Sequence, residues 1–303
     1  MVLQIAPRPP GLARRRSGTR RSARARSGGP RVASLVLGTV QALLLALVVV
    51  PFTVLAAAPA HALPPNETPF LTWNMQGATT EGVNLWTDYM PSILREARYP
   101  QVVMLQEVGA GTPDNSAQLP NPRGTEGNRL VTYVEWRSSM RPSRWYLLFL
   151  QTNNPDDPDD SGGRVNTIVM SQSQITDATV VEADHSSGRN RPSLGIRQGD
   201  DWYFSYHALS GGGDDAVHML DAIGDRVEAL EPEGRRYDWT VGADFNVRPE
   251  TEDGRGLTQR EDWPIITTPN GLAPRVLNSG QPTHRSGREL DYAGRPRTAA
   301  ATG

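Results

Sequence analysis

The chain of 303 residues contains no cysteine. Disulfides and cysteine-ligated metal sites are therefore excluded, while the compartment stays undecided, because an α/β domain of this size can fold without covalent staples. Every basic side chain is an arginine, and no acidic residue precedes Glu67. The five histidines show none of the ligand spacings of a zinc site, and no internal repeat is visible.

The first 62 residues instead hold nine arginines between Arg8 and Arg31, then an apolar run from Val32 to Ala58 that is richest over Leu43–Val50, then Ala60-His61-Ala62. A basic stretch, an apolar stretch and an A-x-A ending read as a secretory signal. Residues 1–62 are expected to be a basic region plus signal peptide cut after Ala62, and residues 63–303 the secreted domain. The alternative is an uncleaved membrane anchor over residues 32–58, a run that approaches spanning length. Pro51 and the small-residue ending favour cleavage, after which no stable span would remain. The whole chain has 31 basic and 33 acidic residues; without the leader 22 and 33 are left, a net charge of −11 for residues 63–303. A domain of that sign gains no general attraction to nucleic-acid phosphates, so local arginines and bound cations would have to supply it.

Beyond residue 63 the pattern is one of short apolar runs broken by Gly, Pro and Asp. Phe70–Trp73, Gln101–Gln106, Thr132–Trp136, Tyr146–Leu150, Arg164–Ser171, Thr179–Val181 and Trp239–Gly242 read as strands. Ser193–Arg197 and Trp202–Tyr206 form a hairpin around Gln198-Gly199-Asp200. Asn84–Arg98 and Asp215–Leu230 read as amphipathic helices. Ala110–Asn128 reads as a polar loop. Asn153–Gly163, with Asp156, Asp157, Asp159 and Asp160, reads as a solvated hairpin loop in preference to a calcium site. Many strands with two helices imply stacked sheets with helices outside.

Polar residues stand where these strands end: Asn74, Gln106 and Glu107, His207, Asp244 and Asn246, and Asp291 after Leu290. Strand ends let a rigid sheet present side chains to one cleft, and carboxylates with amides suit a hard, oxygen-preferring cation. Taken singly, each has a plainer reading: Asn74 as a turn cap, Glu107 as a solvated strand end, His207 as a satisfied histidine, Asp244 and Asn246 as Asx-turn residues. Their order along the chain is what sets them apart.

Thr72-Trp73-Asn74-Met75-Gln76-Gly77, Leu105-Gln106-Glu107 with Gly109, Arg164-Val165-Asn166, Arg191-Pro192 with Gly195-Ile196-Arg197, Tyr206-His207-Ala208-Leu209 with Asp214-Asp215-Ala216, and Leu290-Asp291-Tyr292-Ala293 together resemble the endonuclease/exonuclease/phosphatase superfamily. Within it they are most similar to the B subunits of cytolethal distending toxins. Gly242 and Asp244-Phe245-Asn246 resemble the family's G-D-F-N, with Ala243 inserted or shifted in register. The resemblance implies a four-layer α/β/β/α sandwich of two packed mixed sheets. It implies a site that hydrolyses DNA or another phosphate ester with Mg²⁺, or with Mn²⁺ or Ca²⁺ in its place, and possible toxin delivery subunits as partners. Glu107 would hold the metal with Asn74 close by. His207 would protonate around the scissile phosphate, Asp244 and Asn246 would place phosphate and water, and Asp291 would orient His207 or support the transition state. Arg164, Arg191 and Asn166 would contact flanking phosphates, surface charge being the plainer reading of the two arginines.

The family pattern continues past L-D-Y-A to a closing Ser-Asp-His, whereas Gly294–Gly303 holds no Asp-His pair and little apolar content. The expectation is therefore a sandwich missing its C-terminal strand and part of its general-base machinery. Besides the nuclease, a phosphoinositide or other phosphate-ester phosphatase and a non-catalytic family member stand as alternatives.

Overall fold

The buried apolar residues fall into three clusters, and two β-sheets lie between them. The computed structural model describes residues 2–3, 68–77, 79–80, 83–139, 144–152, 165–182, 191–210, 213, 215–233, 235–260, 263, 275–277 and 290–295. Apart from residues 2–3, the expected signal peptide lies outside the described residues, as do the 32–58 anchor alternative, the acidic loop at 153–163 and Arg164.

In chain order the strands are β1 (Val2–Leu3), β2 (Phe70–Asn74), β3 (Thr79–Thr80), β4 (Val83–Asn84), β5 (Val102–Gln106), β6 (Ser116–Leu119), β7 (Val131–Arg137) and β8 (Arg144–Leu150). They continue with β9 (Thr167–Ser171), β10 (Ala178–Val181), β11 (Ser193–Gln198), β12 (Asp201–His207), β13 (Asp238–Asp244), β14 (Arg275–Leu277) and β15 (Asp291–Arg295). The helices are α1 (Leu85–Asp88), α2 (Met90–Glu96) and α3 (Ala216–Leu230). One sheet has the order β1-β2-β5-β9-β8-β7-β6, the other β10-β11-β12-β13-β15-β14, and β3 and β4 form a separate ribbon. Both large sheets are mixed: β2 runs parallel to β5 and β12 parallel to β13, while β9 and β15 return antiparallel.

Period-two alternation sorts the side chains into layers. Leu71 and Trp73 of β2 point to a cluster with Trp86, Met90, Ile93 and Leu94 of the first two helices. Phe70 of the same strand and Met104 of β5 point the other way, to a cluster shared with Leu194, Ile196 and Tyr203 of the second sheet. Trp202, Phe204 and Tyr206 of β12 pack on Val217, Leu220 and Ile223 of α3. The layers are thus helices, sheet, sheet, helix, the α/β/β/α sandwich expected. Central strands such as β2, β5 and β9 are buried at every residue because both of their faces are covered.

Three local expectations need correction. The helix read over residues 84–98 is two short helices, because Pro91 has no N–H to continue the first and instead sits in the opening turn of the second. The polar loop at 110–128 contains β6, an edge strand whose partial exposure hides its periodicity. Gly294 and Arg295, read as outside any strand, extend β15 by pairing with Val241 and Arg275.

Candidate functional site

The parallel pairs bring strand ends into one place. Asn74 ends β2 opposite Gln106 of β5, and His207 ends β12 opposite Asp244 of β13. The antiparallel β15 begins where β13 ends, so Asp291 lies opposite Asp244. Ala243 forms no bulge: β13 keeps unbroken register with β12, with Ala243 in the helix-side cluster and Gly242 on the inter-sheet face. There a Cβ would come within 2.7 Å of Met104 Cε and 2.8 Å of the Thr72 side chain. Glycine therefore permits the close approach of the sheets directly below the site.

The two sheets meet at the site through polar contacts. Asn74 donates from Nδ2 to Asp244 Oδ2 at 2.7 Å, and its Oδ1 accepts from Gln76 N at 2.8 Å. That second bond fixes the amide's orientation, so its nitrogen faces the carboxylate. His207 Nε2 lies 3.5 Å from Glu107 Oε1 and 3.9 Å from Asp244 Oδ2. One donor atom each of Glu107, His207 and Asp244 lies within 4.8 Å of the others, the one such group of three among the described residues. Asn74, Glu107, His207, Asp244 and Asp291 are all buried. Two carboxylate oxygens and an imidazole nitrogen converging in this way fit a divalent cation, which needs anionic oxygen ligands and a dry wall around it.

The backbone around these groups is bent to present them. Glu107 has φ 50° and Asn246 φ 54°, the left-handed region. Asparagine adopts it readily; for glutamate it costs roughly 1–2 kcal/mol, which surrounding contacts must offset. Asn246 N donates to Asp244 Oδ1 at 2.8 Å, and its Nδ2 donates to Ala208 O at 2.8 Å. Arg191 Nη1 donates to the same Ala208 carbonyl at 2.9 Å, so the segment after His207 is held from two sides. Asn166 is buried just before β9 and donates to Gly109 O at 2.8 Å.

Two residues that the sequence reading named without a role act as supports. Gln106 Nε2 donates to Ser205 Oγ and Gly242 O, both at 3.0 Å, a buried bolt between the sheets beneath the site. Asp215, just before α3, accepts from Leu209 N at 2.9 Å and from the Tyr206 hydroxyl. Burial first, and then the Asp215 charge beside it, push the Tyr206 phenol well above its ordinary pKa, so it stays a donor. Asp215 lies inside a quoted motif but carried no role, because its partners come from another strand.

Comparison with known proteins agrees with this geometry. Residues 71–301 match the Endonuclease/Exonuclease/phosphatase family. The chain belongs to that family. It is 26% identical over 226 residues to the B subunit of the cytolethal distending toxin of Escherichia coli, covering 73% of this chain and 76% of the relative. The crystal structure of the Haemophilus ducreyi cytolethal distending toxin contains a similar chain, at 29% identity and a TM-score of 0.59, over 74% of this chain and 81% of that one. The toxin of Actinobacillus actinomycetemcomitans gives the same identity and TM-score over 74% and 82%. Membership of the endonuclease/exonuclease/phosphatase family makes the protein a hydrolase of the nuclease or phosphodiesterase type. Among the described residues, no helix is long and apolar enough to cross a membrane.

Proposed function

We propose that the protein is a secreted, Mg²⁺-dependent phosphodiesterase that cleaves DNA, released by cleavage after Ala62. The carrying observation is the convergence of Glu107, His207 and Asp244 at the meeting of the two sheets. Glu107 and Asp244 hold the cation, with Mn²⁺ or Ca²⁺ as substitutes, and Asn74 fixes the Asp244 carboxylate through its Nδ2 bond. When bound, the ion neutralises phosphate charge and lowers the pKa of an attached water. His207 Nε2 hydrogen-bonds the scissile phosphate and delivers the proton. Asp244 and Asn246, tied to each other, align phosphate and attacking water, which replaces a costly bimolecular encounter with a fixed geometry. Asp291, opposite Asp244 in register, supports that carboxylate or His207 as charge develops. Arg191 and Arg164 contact the flanking phosphates. The similar toxin chains are each one component of a toxin, which supports companion delivery chains here.

The test is nicking of supercoiled plasmid by residues 63–303 with Mg²⁺ and with EDTA, beside Glu107→Ala. Nicking that needs Mg²⁺ and disappears in the variant is expected. Unchanged nicking in Glu107→Ala sinks the assignment. One observation favours a second reading: the net charge of −11 over residues 63–303 suits a small or membrane-presented phosphate ester better than duplex DNA. Turnover of phosphoinositide without nicking would decide for that reading.

A further inference from the structure

The motif Arg164-Val165-Asn166 suggests a substrate contact for Asn166, but its surroundings assign it other work. The residue is 1% exposed, more deeply buried than His207 or Asp244. Both ends of its amide are engaged: Nδ2 donates to Gly109 O at 2.8 Å, and Oδ1 accepts from Thr152 N at 2.9 Å. Its backbone carbonyl accepts from Val108 N at 3.0 Å. Asn166 therefore grips both residues that follow Glu107, one through its main chain and one through its side chain. On the other side of the turn, Gly77 N donates to Glu107 O at 2.7 Å. The turn so gripped is strained at Glu107, with φ 50°, while Gly109 takes φ 83° at no cost because it has no Cβ.

We infer that Asn166 is a positioning residue that holds Glu107 in its left-handed conformation, with its carboxylate aimed at His207 and Asp244. The inference rests on the metal-dependent reading proposed above and deepens it. A non-glycine residue keeps such a backbone only where neighbours over-determine it. Without the bond to Gly109 O the turn relaxes toward ordinary φ, and the carboxylate swings away from its partners. Groups that orient a metal ligand are worth about 10–100-fold in metal affinity. Substrate binding, which Asn166 does not touch, is left as it was.

The test is Mn²⁺ binding by calorimetry on the full chain, together with kcat and KM on a soluble phosphodiester, for the wild type and Asn166→Asp. The aspartate keeps the shape and can still accept from Thr152 N, but it cannot donate to Gly109 O. Expected are Mn²⁺ binding weaker by about tenfold or more, a lower kcat, and a KM within about twofold of wild type. Gly109→Ala strains the same turn from its other end and should give the same signature, which keeps the test alive if Asn166→Asp does not fold. A raised KM with wild-type Mn²⁺ affinity in either variant overturns the inference and restores a phosphate contact. Wild-type protein that binds no Mn²⁺ overturns the metal-dependent reading and this inference with it, whereas a wild type that binds Mn²⁺ and variants that bind it equally well overturn the inference alone.

Discussion

His207 lies 3.5 Å from Glu107 Oε1, close enough for either proton donation or metal ligation to be its main task, and the two make different predictions. If the imidazole is the proton donor, His207→Ala lowers turnover by about 10²–10⁴-fold and leaves Mn²⁺ affinity nearly unchanged. Pre-steady-state cleavage and calorimetry on one preparation separate the effects; equal losses in both would make His207 a ligand. Asn74 offers a parallel lesson. In the sequence it is a residue near a metal. In the structure its Oδ1 accepts from Gln76 N and its Nδ2 donates to Asp244 Oδ2, so it also acts on the site through that carboxylate. Residue type and strand-end position were legible in the sequence for Asn74, Glu107, His207, Asp244 and Asp291. The direction of an amide was not, because it depends on which backbone N–H a turn brings near.

At the scale of elements, β13 shows how the strand that carries Asp244 is seated. Gly242 is where β13 presses on β2 and β5, and the displaced atoms would include Cβ of Thr72 as well as the flexible end of Met104. Gly242→Ala is expected to cost about 1–3 kcal/mol of stability through overpacking. Urea unfolding should show a lower midpoint with an unchanged slope, and cleavage should fall too, since Asp244 is two residues along. A variant as stable as wild type would mean that the sheets can separate at this point without penalty. Strands buried on both faces were legible as continuous apolar runs. β6 and β14 were not, since a half-exposed or three-residue strand carries too little pattern. The break between α1 and α2 was legible in principle, from Pro91 within the run.

For the whole molecule, one ionic clip joins distant parts of the chain. Asp177, just before β10, receives hydrogen bonds from Arg123, in the connection after β6, and from Arg197 of β11. Burial pushes the Asp177 carboxyl up, but the bonds from Arg123, Thr176 and Arg197 outweigh it and hold it below its ordinary value of 3.8. A depressed folded-state pKa adds stability that is complete above the unfolded value and is lost as pH falls through the folded one. The melting temperature of wild type should therefore drop toward that of Asp177→Asn below about pH 4. A gap between the two that stays constant down to acid pH would show that the clip acts by shape and not by charge. The proposed signal peptide makes a separate prediction at this scale. The N-terminus of the exported protein should be Leu63, which would remove β1 and leave the outer edge of β2 to whatever else pairs there. An exported chain that retains Met1 would sink the signal-peptide reading.

The sequence by itself determined a strand-rich α/β class, through apolar runs at strand and helix periods, while the four layers followed from the family its motifs resemble. It also determined which polar residues stand at strand ends, and so the chemistry available. Tertiary structure alone decided which of them meet. Glu107 and Asn74 come from one sheet, His207 and Asp244 from the other, and their approach depends on a glycine, a glutamine bolt and a strained turn that act across the fold. Hydrogen bonds that side chains make between different strands and turns leave no periodic trace in the chain, whether they span 9 positions, as Tyr206 to Asp215, or 136, as Gln106 to Gly242. The positioning roles of Asn166, Gln106 and Asp215 therefore appear only in the folded chain.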